Sequence, residues 1–220
     1  MDDRLLELRR AWECSGSLED EVAYLRTRVQ VGDLPTSRLE LAAYCGDEGA
    51  NLALENPDLA AVCPRYQAML EASGDDFAAW FVGVSHWGRR AALEATLHCL
   101  RLVRSDAALA YPGAQALYST FMDWCRGHDP RRGAECLTMA KALFGQLEAG
   151  LVPVESESFL WTLASATTLC FREGRLWEGT PQLVAQHASC GVETDANEEA
   201  ESLVLRVVSA ALSVWALTGD

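Results

Sequence analysis

The sequence predicts an all-α protein, a compact bundle of about ten helices, and three observations carry that reading. Ala and Leu supply 64 of the 220 residues. No segment alternates apolar and polar residues for long enough to make a half-buried strand. Residues that start and stop helices recur at short intervals along the whole chain.

Taken in order, Leu5, Leu8 and Trp12 sit one turn apart, with Asp2 and Asp3 before them and Arg9 and Arg10 after them. That charge order complements the helix dipole. Ser17 then opens a second helix as N-cap with Asp20 three residues on, and Gly32 closes it. Pro35 starts a third helix that stops at Gly46, and Asp47 or Asn51 leads into a short one ending near Asn56-Pro57. Pro64 confines the next stretch, 57–72, to a turn and a helix through Tyr66, Met69 and Leu70.

Asp75 or Asp76 caps a long apolar helix carrying Phe77, Trp80, Val84, Trp87 and Ala91 on one line and kinked at Gly88 on its way to Val103. Pro112 and Asp129-Pro130 mark two further starts, with stops at Gly127 and Gly150. Ser156 or Ser158 caps a helix over 159–173, and Thr180-Pro181 begins a short one ending at Gly191. Thr194 begins the last, with Ala200, Leu203, Val207, Ala211 and Val214 as its stripe. The connections are short and free of Ser/Gly linkers, so the expectation is one domain over 1–220, with an N-terminal helical subdomain at 1–72. The stretches RRAALEATLHCLRLV from Arg89 and RRGAECLTMAKALF from Arg131 echo one another. That spacing allows solenoid-like stacking of helical hairpins.

The segment Arg38–Ala50, RLELAAYCGDEGA, resembles a stretch found in uncharacterised all-helical proteins of GC-rich bacteria, myxobacteria especially. The resemblance implies a bacterial origin and a helical fold and carries no activity with it. The bias of the basic residues, 17 Arg to a single Lys, and the absence of Ile point to the same kind of genome.

Charge and composition exclude several function classes. Half the residues are apolar and seven are Trp, enough to offset the entropy of ordering and to exclude disorder. A chain of this length buries about 70% of its surface on folding and needs no disulfide or metal staple. The net charge of −14 opposes nucleic acid, whose phosphates require a positive surface. The longest uncharged window, Ala107–Met122, is broken by Pro112 and Gly113, so no membrane span is expected. The opening MDDRLLELRRAWE carries acids where a signal peptide carries cations. The expected location is the cytoplasm, where eight cysteines without a CxxC pair read as reduced, buried side chains.

No catalytic motif is found. Gly-rich phosphate loops, GxSxG and ExxH are all absent from the sequence. Cys125 and His128 have a CxxH spacing with Cys136 nearby, yet a closed zinc site needs a second such pair. The sequence therefore predicts a protein that is not an enzyme, takes no cofactor or metal, and binds another protein. Its acidity suits an immunity-type or adaptor protein covering a basic partner. The residues chosen for that contact are Trp177, in the loop GRLWEGTP, and the acids Glu193, Asp195, Glu198, Glu199 and Glu201 of the run ETDANEEAE. Two alternatives stand beside this one. One is an enzyme or a small-ligand or metal site built from His86, His98, Cys99 or His128. The other is a subunit of a homo-oligomer that pairs through the apolar helix 199–217.

Overall fold

Helix follows helix in the computed structural model, which describes residues 3–54, 77–170, 180–192 and 200–219. Among the described residues there are twelve α-helices and no strand. They are α1 (Asp3–Ser15), α2 (Leu18–Gln30), α3 (Thr36–Tyr44), α4 (Glu48–Leu54), α5 (Phe77–Val84), α6 (Arg89–Leu102), α7 (Asp106–Leu109), α8 (Ala114–Gly127), α9 (Pro130–Glu148), α10 (Val154–Ala166), α11 (Thr180–Cys190) and α12 (Ala200–Thr218). The expected helix over 57–72 lies outside the described residues.

The chain divides into two compact units, Met1–Gly74 with Ser209–Asp220, and Asp75–Val208. The first unit joins the N-terminal segment to the end of the last helix.

In the first unit α2 packs on α1 and α4, and α3 on α4. Leu25, Leu34, Leu39, Ala42, Ala50 and Ala53 form a core of small and medium side chains. Ser17 caps α2 by accepting from the Asp20 N–H at 3.2 Å. Asp47 caps α4, its Oδ1 accepting from Ala50 N–H at 2.8 Å, while its Oδ2 accepts from the Ser213 hydroxyl at 3.0 Å. Neither α4 nor α12 carries a basic residue in its last turn. Arginines from neighbouring helices answer the bare carbonyls instead. Arg26 donates to Leu52 and Ala53 of α4, Arg28 donates to Leu217 of α12, and Arg38 donates to Trp215 while lying over its ring. Cations at these C-terminal ends satisfy orphan acceptors and complement the dipole.

In the second unit α10 is covered by α6, α7, α9 and α11, and α8 packs on α9. Phe77, Phe81, Leu93, Phe121, Phe159 and Leu163 are all buried here. The long helix expected from Asp75 to Val103 is two helices. Gly88 takes φ +98°, a conformation open to glycine and strained for other residues, so the chain breaks there instead of kinking. The start of α10 also differs from the expectation at Ser156 or Ser158. Pro153 is the N-cap, Glu155 and Glu157 occupy the dipole-favoured first turn, and Ser156 is buried within the helix.

The last helix, α12, buries Val204, Val208, Leu212 and Ala216 completely, at a four-residue spacing. By length and composition alone it is also long and apolar enough to cross a membrane. Uncharged-run counting passes over it because Glu201 and Arg206 interrupt its first half.

Asp47→Ala removes a cap and a side-chain tie together. It is expected to lower unfolding free energy by about 1–2 kcal/mol, seen as a lower urea midpoint at unchanged slope. An unchanged midpoint would mean that water replaces both bonds at no cost.

Candidate functional site

Three consecutive helices of the second unit build one aromatic row. The rings of Phe144 on α9 and Trp161 on α10 lie 5.6 Å apart, and His187 on α11 stacks on Trp161 at 5.0 Å with planes 11° apart. Helix packing sets this geometry. The antiparallel hairpin of α9 and α10 faces Phe144 towards Trp161. The end of α11 comes in close because residue 191 is glycine: a Cβ there would sit 2.7 Å from the Ser158 side chain. All three rings are half-buried.

Around this row the hairpin leaves apolar surface uncovered. Leu151 and Val154, in the α9–α10 connection and the first position of α10, are 68% and 79% exposed, the most exposed of the large apolar side chains described. Val154 shares a face of α10 with Trp161, seven residues on. Acids flank them at helical spacing: Glu148 lies four residues beyond Phe144, and Glu157 four before Trp161. Glu155 is exposed beside them. An apolar patch with aromatic anchors and a charged border is the usual anatomy of a protein contact surface.

Of the contact residues chosen from sequence, Trp177, Glu193, Asp195, Glu198 and Glu199 lie outside the described residues. Glu201 is exposed in the first turn of α12. On the same helix Val207 and Val214 are exposed, one apolar edge of the segment named for pairing between copies.

The histidines and cysteines named for chemistry are dispersed. His86 sits in a single helical turn with Nδ1 3.2 Å from the Val82 carbonyl oxygen and 3.1 Å from that of Gly83. His98 is half-buried on α6. His128 ends α8 in the left-handed conformation, φ +50°, one residue after the glycine expected to stop it. Cys99 is fully buried, and burial pushes its thiol well above the ordinary range. Burial, with Glu94 adding to it, raises Cys125 to about 12. Those shifts disfavour thiolate, the form that attacks or ligates. Among the described residues no three His, Cys, Asp or Glu side chains are grouped to hold a metal ion.

Sequence reasoning missed the aromatic row, because its members lie 17 and 26 positions apart and meet only through helix packing. His187 is half-buried, with its ring stacked on Trp161.

Desolvation lowers the pKa of His187, and desolvation with the nearby Arg101 charge lowers that of His98. As pH falls, the unfolded chain takes up these protons first. Stability is therefore full above the ordinary histidine pKa of about 6.5 and declines below it until the folded imidazoles titrate as well. His187→Gln keeps His98 and is expected to lose less urea midpoint than wild type between about pH 7.5 and about pH 5.5. Equal losses in the two proteins would show that the stacked imidazole does not resist protonation.

Compared with protein-family models, with curated proteins and with solved structures, the chain matches none.

Proposed function

We propose that this chain is a protein-binding module of the immunity or adaptor type, and that the α9–α10 hairpin with the Trp161–His187 stack is the surface it offers to a basic partner. The observation that carries this reading is the pair Leu151 and Val154, strongly exposed apolar side chains beside a half-buried aromatic row and bordered by Glu148, Glu155 and Glu157. Large apolar side chains left in water gain free energy when a partner covers them, about 25 cal/mol per Å² of apolar surface removed from water. The acids and the net charge of −14 select the sign of that partner and speed its approach. Trp177 and the acids Glu193, Asp195, Glu198 and Glu199 extend the same proposal beyond the described residues, and Glu201 stands exposed at the start of α12.

The test is capture of partners from the lysate of the producing cell by tagged protein, at low and high salt, with two variants in parallel. Wild type is expected to hold a basic protein at low salt and to release it as salt rises. The double substitution L151R/V154R, on exposed side chains, is expected to abolish that capture with the fold intact. Capture that survives this double variant and is lost with E198K/E199K/E201K would move the contact to the acidic run. No salt-sensitive capture at all would overturn the proposal.

A further inference from the structure

In the first unit α1, α2 and the end of α12 border a cavity of about 510 Å³, a volume within the range of small-molecule sites. Trp12 of α1, Tyr24 and Leu25 of α2 and Leu217 of α12 supply its apolar walls. The Trp12 and Tyr24 rings, both half-buried, stack with centres 5.5 Å apart and planes 22° apart. Glu21 stands three residues before Tyr24 and four before Leu25, on the same face of α2, and lines the cavity beside them.

The other charged side chains of the described lining are already answered. Arg9 and Glu13 pair with each other at 2.7 Å. Arg28 bonds Asp33 at 2.6 Å, donates to the Leu217 carbonyl at 2.7 Å and lies 5.5 Å from the centre of the Tyr24 ring. Glu21 faces no cation among the described residues. Burial pushes its carboxyl above the ordinary value, and the like charges of Asp47 and Glu48 add to that push. The fold nevertheless keeps a place for it: residue 49 of α4 is glycine, and a Cβ there would sit 2.8 Å from the Glu21 carboxyl carbon.

Two separate features therefore call for the same ligand charge. An unanswered carboxylate against apolar walls attracts a cation, and so does the face of an aromatic ring, tryptophan most strongly. The Arg28 guanidinium over Tyr24 is a cation from the chain itself on the same wall. We propose that this cavity binds a small organic ammonium ion, its charge held by the Glu21 carboxylate and the Trp12 ring and its apolar body against Leu25 and Leu217. A calcium-like metal ion fits poorly, because it needs six or more oxygen ligands, and no three ligating side chains are grouped among the described residues. The site shares no residue with the α9–α10 hairpin, so the two proposals stand or fall separately.

The test is calorimetric titration of the full chain at low ionic strength with benzylammonium, with benzyltrimethylammonium and with benzyl alcohol as their neutral counterpart. Saturable binding of at least one ammonium ion is expected, with the alcohol about tenfold weaker or more. The stronger ammonium ion tells a primary amine site from a quaternary one. Glu21→Gln keeps the shape and removes the charge, and Trp12→Leu keeps an apolar side chain and removes the ring. Each is expected to weaken ammonium binding about tenfold. Glu21→Gln also removes a charge that repels its neighbours, so it is expected to fold; if Trp12→Leu loses its helical circular dichroism, Glu21→Gln decides. Undiminished ammonium binding in any folded variant, equal binding of the alcohol, or no saturable binding of either ammonium ion overturns the proposal.

Discussion

The second unit depends on one constraint: α10 is enclosed by four other helices and has little surface to spare. Eight of its thirteen residues are buried, with Ser156, Thr162 and Ser165 among them. A helix apolar on one face alone could not sit there. The Thr162 hydroxyl is accommodated within the helix, donating to the Ser158 carbonyl at 2.7 Å. Because neighbours occupy most of α10, the face it has left, through Val154, Glu157 and Trp161, is where another molecule can reach it. The proposed partner surface is that remaining edge, completed by Phe144 and His187 from the helices on either side.

The first unit solves a different problem with different residues. Its core side chains are small and medium in size. Hydrogen bonds placed at helix ends add to their packing. Asp47 serves the start of α4 and the Ser213 hydroxyl of α12, and Arg26, Arg28 and Arg38 serve carbonyls at two C-termini. The strong preference for arginine over lysine bears on this directly. A planar guanidinium can donate to a carbonyl and lie over a ring at once, as Arg38 does with Trp215, while an ammonium presents a compact point charge.

Local chemistry was legible in the sequence wherever one residue decides a helix end. Ser17, Asp47, Asp129-Pro130 and Thr180-Pro181 all stand at or beside the starts they signal. What the sequence could not show has a physical cause in each case. A glycine within an apolar run is compatible with a kink or a break, and the left-handed conformation of Gly88 settles it as a break. Gly127 looks like the stop of α8, yet His128 takes the left-handed position, with its N–H bonded to the Trp124 carbonyl and its ring against the Trp124 indole. The Phe144–Trp161–His187 row and the Trp12–Tyr24 pair are through-space arrangements. No periodicity within a single helix encodes them.

Charge counting located acids and could not say which of them border apolar surface, and a contact surface needs both. Glu148 stands three residues before Leu151 and Glu157 three after Val154, but that the two apolar side chains stay in water is set by how the helices pack. Hydrogen exchange of the full chain, with and without a cationic amphipathic helical peptide, tests this placement most directly. The expected result is slowed exchange over residues 144–161 and 183–190. Slowing confined to 193–201, or none anywhere, would contradict it.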